Sequence, residues 1–324
     1  MKVIFGIAIL TAKDIDAMNA RINKAADMAK ENEQSVAQQD KALIRFSGKF
    51  ATAMDFIGRN LPLKRKRKAF RKIVEVVTMV LKVLGSSSHG NSYILENDRE
   101  ALLLEAGVRF ASVKQALDYN ITKVVGCLIT HEHKDHAGYI NEVLKATVPV
   151  YASAGTIENT PIEGPRRANV CKAGTLFTLG GFRIIPFGTK HDSAEPLGFF
   201  INHEETGNIL FATDTYYLPC KFAGLNNVLI ECNYRLDLLD ANIAAGRIPA
   251  VVRNRTLKSH LSYDHCVQAL QANDIKGVNN IVLIHLSDGN SNAEQFRAGV
   301  RAATGKTVHI AEAGLIINFD KTPF

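Results

Sequence analysis

At 324 residues the chain is long enough for one large domain or two modest ones. With 46% hydrophobic and 22% charged residues it can bury a core, which excludes wholesale disorder, and no apolar run is long enough to span a bilayer. The net charge of +7 is confined to the start: residues 1–75 carry 16 Lys and Arg against 8 Asp and Glu, and the remainder is close to neutral.

The opening apolar stretch Val3–Leu10 is followed at once by Asp14 and Asp16, with no small-x-small cleavage pattern. It reads as a first strand or helical turn rather than a leader. Residues 13–46 contain no Gly or Pro, and Ile15, Met18, Ile22 and Ala25 recur at three- and four-residue steps. That spacing predicts one long amphipathic helix, or two, with Asp14 as N-cap. Next comes Lys64-Arg65-Lys66-Arg67-Lys68, followed by Arg71 and Lys72. Unpaired charge of this density cannot be buried. It suits a polyanion, through phosphate contacts independent of sequence, and a solvated linker accounts for it equally well. Residues 1–78 are therefore expected to form a basic helical accessory region, available to the main domain, a protein partner or a second copy of the chain.

From residue 79 the texture changes, and 79–324 is expected to be the main domain. Short β-rich runs predict strands at Met79–Leu84, Ser92–Leu95, Ala101–Glu105, Val124–Ile129, Val148–Tyr151 and Thr175–Leu179, then at Arg183–Phe187, Leu197–Ile201, Asn208–Ala212, Asn227–Glu231, Asn280–Ile284 and Thr307–Ile310. Helices are expected at Val108–Tyr119, Gly138–Lys145, Tyr263–Asn273 and Asn292–Thr304. Hairpin-spaced strands mixed with strand–helix alternation imply an α/β fold of two sheets covered by helices. The five cysteines (Cys127, Cys171, Cys220, Cys232, Cys266) are scattered, with no C-x-x-C pair. They point to reduced thiols in a cytoplasmic protein rather than to a disulfide scaffold or a cysteine-based zinc site.

The densest chemistry lies in Thr130-His131-Glu132-His133-Lys134-Asp135-His136-Ala137-Gly138, directly after the apolar run Val124–Ile129. Three imidazoles and a carboxylate at a strand end suit zinc and related transition ions, and a dry core would not tolerate them. One such loop can serve two neighbouring cations but cannot complete two coordination shells. His191, Asp214 and His285 each stand just beyond another apolar strand, where α/β active sites gather, and are the further candidate ligands.

The pattern His131-x-His133-x-Asp135-His136, with a later His, Asp and His, resembles the metallo-β-lactamase superfamily over roughly residues 81–315. Gly85-Ser86-Ser87-Ser88-His89-Gly90-Asn91-Ser92 is similar to the turn of its exonuclease-like YycJ/WalJ branch, as are His191-Asp192-x-x-Glu195-Pro196-x-Gly198-Phe199 and Ser259-His260-Leu261-Ser262. The resemblance implies a four-layer αβ/βα sandwich with an N-terminal helical extension as a departure. It implies two divalent ions, Zn²⁺ or Mn²⁺: one on His131, His133 and His191, the other on Asp135, His136 and His285, with Asp214 between them.

Two cations close together activate a bridging water and neutralise a phosphodiester. Asp135 is expected to orient the nucleophile. His260 is a candidate acid for the leaving oxygen, or else a polar residue at a helix start. Arg247, Arg253, Arg255 and Lys258 make the segment before it basic, as a phosphate clamp or a solvated loop. No interleaved aromatics stand nearby and the chain has no Trp, so base-specific reading is not supported. The expected function is cleavage of nucleic-acid phosphodiesters by attack of a metal-bridging hydroxide, as an exonuclease on DNA before RNA. The alternatives are a small ester, thioester or lactone hydrolase, or a binding module without catalysis.

Overall fold

A computed structural model of the chain describes residues 3–5, 8–10, 78–164 and 168–322. The chain divides into two units, Met1–Val76 and Val77–Phe324. In the first, β1 (Val3–Phe5) and β2 (Ala8–Leu10) pair antiparallel, Val3 opposite Leu10. The helix expected over residues 13–46 and the run Lys64–Lys68 lie outside the described residues.

The second unit begins with β3 (Val80–Ser87), β4 (Gly90–Glu96), β5 (Ala101–Leu104), β6 (Val124–Leu128), β7 (Val150–Ala152) and β8 (Ala168–Val170). It continues with β9 (Phe177–Leu179), β10 (Phe182–Gly188), β11 (Leu197–His203), β12 (Gly207–Ala212), β13 (Leu225–Glu231), β14 (Asn280–Ile284), β15 (Thr307–Ile310) and β16 (Ile316–Asn318). These make two seven-stranded sheets, ordered β16-β3-β4-β5-β6-β7-β8 and β15-β14-β13-β12-β11-β10-β9. Each sheet is antiparallel on one side and parallel on the other, the change falling at β5 and at β12. Short connections suffice for the antiparallel strands that are consecutive in the chain, whereas most of the parallel ones are joined through helices.

Alternation along the central strands builds the layers. In β5, Leu102 and Leu104 enter the core between the sheets while Ala101 and Leu103 face helices Phe110–Ala116 and Ile140–Lys145. In β12, Ile209 and Phe211 point inward, and Leu210 and Ala212 point to the layer holding helices Tyr263–Ala272 and Ala293–Thr304. Because side chains of a strand alternate faces, this two-sided burial requires cover on both faces of each sheet, which gives helix, sheet, sheet, helix. The expected four-layer sandwich is the observed one.

The twelve expected strands are present, Asn280–Ile284 and Thr307–Ile310 with the expected ends and the other ten with shifted ones. The three-residue edge strands β8 and β16 were not anticipated, nor were helices Lys134–Ala137, Ala154–Asn159, Leu236–Ala244 and Ala250–Ser259. The last of these corrects the sequence reading: the basic segment before His260 is a helix, not a loop. Its exposed residues include Val251, Arg255 and Lys258, so it lacks the apolar stripe by which a helix is recognised. Among the described residues no helix is long and apolar enough to cross a membrane.

Candidate metal centre

One edge of the sandwich collects strand ends from both sheets. From the first sheet, β6 runs through Ile129 and Thr130 into His131. Buried Glu105, in a left-handed conformation (φ 68°) just after β5, receives Thr130 N–H at 3.2 Å and Thr130 Oγ1–H at 2.6 Å. The chain then bends through His133 into the single turn Lys134–Ala137. Gly107 is indispensable beside it: a Cβ there would lie 1.8 Å from the Asp135 carbonyl oxygen. Ala106 N–H donates to the His136 carbonyl at 2.7 Å, so residues 105–107 clamp the histidine loop.

The second sheet supplies His191 after β10, Asp214 after β12, Glu231 at the end of β13 and His285 after β14. Asp214 (φ 45°) and His285 (φ 53°) both take left-handed backbone, which non-glycine residues adopt at a cost of roughly 1–3 kcal/mol and which clusters at functional sites. His285 N–H is held by Ser86 Oγ at 2.9 Å, which ties the two sheets together at the site.

His133 Nδ1 lies 3.1 Å from His131 Nε2 and 3.1 Å from His191 Nε2. Three imidazole nitrogens aimed at one point cannot satisfy one another with shared protons alone, and a cation satisfies all three. A second group is Asp135, His136 and His285, with Asp135 Oδ2 at 3.3 Å from each imidazole Nε2. Asp214 stands beside both groups, its oxygens 3.0 Å from His136 Nε2 and 3.8 Å from His191 Nε2. Each group brings donor atoms within 4.8 Å of one another, so this cluster could hold metal ions. His136 Nδ1, buried and without a hydrogen bond, lies 3.4 Å from Glu105 Oε1, within reach of charge but not of bonding geometry.

Electrostatics point the same way. Burial and the neighbouring His136 hold His131 well below the usual imidazole range. Burial opposes charge on His136 as well, but Asp214 and Glu105 outweigh it and raise the group well above that range. His285 is pushed up to about 9 against its burial, chiefly by Asp214. Asp214 itself, although buried, is held well below the carboxylate range by His285 and His136. Protons on imidazoles thus balance carboxylates where a cation can do so instead. Below about pH 9 an entering cation must displace them, so divalent-ion affinity is expected to rise with pH through that value. Titration calorimetry in buffers of different ionisation heat should register at least about one proton released per chain. A heat independent of buffer would contradict this.

All seven sequence-predicted ligands and His260 come together here. His133, Asp135, His191, Asp214, His260 and His285 border a cleft of about 260 Å³ whose lining adds Ser88, Val252, Arg255 and Thr256, while His131 and His136 lie buried behind it. His260 Nδ1 is 2.7 Å from Glu231 Oε1 and 3.2 Å from Asp214 Oδ1. Arg255 reaches the cleft with Nε on Asp192 Oδ2 at 2.8 Å. Arg253 turns away to Asp240 at 2.6 Å, and exposed Lys258 is not in the lining.

Three supporting residues escaped the sequence reading as participants. Glu231, fully buried, receives Leu261 N–H at 2.9 Å and Thr215 N–H at 3.1 Å besides holding His260 and His285. It is the last residue of an apolar strand, and nothing local in the sequence sets it apart from an ordinary strand end. Asn91, within the Ser-His-Gly-Asn-Ser turn, places Nδ2 3.2 Å from His136 Nε2. Glu105 had no signal, because it reads as the tail of a strand.

Residues 101–286 match the family model described as "Beta-lactamase superfamily domain". Exodeoxyribonuclease YycJ of Bacillus anthracis is 30% identical over 236 residues, covering 67% of this chain and 86% of that protein. Exodeoxyribonuclease WalJ of Streptococcus pneumoniae is 28% identical over 225 residues, covering 64% and 82%. Among solved structures, the metallo-beta-lactamase fold protein YhfI from Bacillus subtilis aligns with a TM-score of 0.57 at 17% identity, over 74% of this chain and 99% of its own, a likeness of fold alone. The layered sheets, the donors at their shared edge and these matches agree: the chain belongs to the beta-lactamase superfamily and is a hydrolase of the metallo-β-lactamase fold.

Proposed function

We propose that this hydrolase cleaves nucleic-acid phosphodiesters, as an exonuclease on DNA, with two divalent ions, Zn²⁺ or Mn²⁺. His131, His133 and His191 would hold one ion and Asp135, His136 and His285 the other, with Asp214 beside both groups. The observation that carries the reading is the pair of donor groups flanking one buried carboxylate, with His260 and Arg255 on the same cleft. The named activity of the YycJ and WalJ relatives supports it.

When bound, the ions supply an activated water and neutralise charge on the phosphoryl oxygens. Asp135, steadied by His136 and His285, would orient the attacking water. His260 bonds Glu231 and Asp214 through Nδ1, leaving Nε2 to give its proton to the departing oxygen. Arg255, anchored on Asp192, holds a phosphate at the mouth. Among the described residues lining the cleft, Arg255 supplies a cation for a phosphate and Val252 is the one apolar side chain.

On the same reading the protein works in the cytoplasm, and its basic N-terminal region grips the backbone of the nucleic acid or joins a second copy of the chain. Replacing Lys64, Arg65, Lys66, Arg67 and Lys68 by Gln should then weaken DNA binding and flatten the log–log salt slope by up to about 4. An unchanged slope would remove the run from the interface.

The direct test offers the purified chain, with Zn²⁺ or Mn²⁺, end-labelled single- and double-stranded DNA, RNA, bis(p-nitrophenyl) phosphate and a lactone. Shortening of DNA from one end is expected. Lactone turnover with every phosphodiester intact would overturn the proposal, and internal cuts alone would overturn its exonuclease part.

A further inference from the structure

Two tyrosines outside the core clusters follow the cleft residue Asp214 closely in the chain, Tyr216 half-buried and Tyr217 exposed. Tyr216 and Tyr217 follow Asp214 and Thr215 in the segment joining β12 to β13, and Tyr217 is 39% exposed. Three peptide steps from Asp214 to Tyr217 span no more than about 11 Å. The main chain beneath them is pinned on both sides. Tyr216 N–H donates to the Lys190 carbonyl at 3.1 Å, and His265 Nδ1–H donates to the Tyr216 carbonyl at 3.1 Å. Thr215 Oγ1–H donates to the Tyr217 carbonyl at 2.7 Å and accepts from Lys190 N–H at 3.0 Å.

A segment fixed in this way needs no aromatic side chains to keep its shape, and an exposed ring keeps apolar area in water. The ring centroids are 4.9 Å apart at an interplanar angle of 58°, so the pair meets at a tilt rather than face to face. Lys190, exposed, directly precedes the cleft residue His191. Pinned main chain, a tilted pair of aromatic rings and a cation, all within three residues of the cleft side chains Asp214 and His191, have the chemistry of a single-strand binding track, in which bases stack on aromatics and phosphates meet positive charge.

We propose that Tyr216 and Tyr217, with Lys190, form a stacking shelf for a nucleobase of single-stranded substrate next to the scissile phosphate. The proposal rests on the nucleic-acid reading above and adds what that reading leaves open, the strandedness of the substrate. A base inside a duplex has both faces covered by its neighbours, so only a single-stranded or frayed end offers a face to the shelf. Every base has such a face, so the shelf takes any sequence, consistent with a chain that carries no base-reading motif.

The test uses the full-length chain, which has no Trp, so that Tyr217→Trp introduces a single reporter. Titrated with an oligothymidylate without divalent ions, where nothing is cleaved, its emission should be quenched to saturation. An abasic strand of equal length should quench it far less. With ions present, Tyr217→Ala should raise KM for the oligothymidylate about tenfold, the loss of one base–aromatic stack, and Tyr217→Phe should stay near wild type. Equal quenching by the abasic strand, no quenching, or an unchanged KM in Tyr217→Ala would overturn the shelf. A wild-type chain that cleaves no nucleic acid would instead overturn the function on which it rests.

Discussion

Asp214→Ala is expected to lower kcat/KM at least about a thousandfold on every substrate the enzyme accepts. This single buried carboxylate faces His136 at 3.0 Å, His260 at 3.2 Å, His285 at 3.6 Å and His191 at 3.8 Å. Without its charge the four imidazoles lose the one anion that all of them face. Both donor groups lose the oxygen that stands between them. Elemental analysis after dialysis should find fewer bound ions in the variant than in wild type, with the far-ultraviolet dichroism unchanged. Asp214→Asn keeps the shape and not the charge, and should fail in the same way. An Asn variant retaining wild-type metal content and turnover would place Asp214 outside the centre.

His260→Ala should cost about 10²- to 10⁴-fold in kcat on DNA, the range for losing a positioned general acid. Burial alone would drive this imidazole toward its neutral form. Glu231 and Asp214 outweigh burial and push it up to about 10, so near neutrality it carries the proton a leaving alkoxide needs. Because its folded value is raised, the acid is competent below that value and is lost as pH rises through it. Divalent ions that neutralise Asp214 bring the value down, so the alkaline limb of the rate profile should fall below pH 10. The variant should lose that limb. A p-nitrophenolate leaves without a proton, so hydrolysis of bis(p-nitrophenyl) phosphate should fall far less. Equal losses on both substrates would make His260 a structural residue rather than the acid.

The histidine loop was legible because it sets four polar ligands, three imidazoles and a carboxylate, directly after an apolar strand, an arrangement no packed core tolerates. The sandwich was legible because strands such as β5 and β12 are apolar on both faces and demand cover on both. Glu231 was not, because its meaning depends on pairing. Parallel register sets it opposite Ile284, one residue before His285, and no window of sequence contains both. Arg253 and Arg255 show the same limit. Read as a loop they are equivalent cations. On a helix, at about 100° per residue, they point to nearly opposite sides, and one meets Asp240 while the other reaches the cleft.

The donors of the centre are divided between two halves of the molecule: His131, His133, Asp135 and His136 ride on the first sheet, and His191, Asp214 and His285 on the second. A cation held there works as a rivet. It binds only after the halves have docked, so it stabilises the folded chain over the unfolded one, by about 2.7 kcal/mol when free ion stands a hundredfold above its dissociation constant. Chelation should therefore lower the melting temperature as well as stop turnover, and cells short of the ion would lose the enzyme to proteolysis along with its activity.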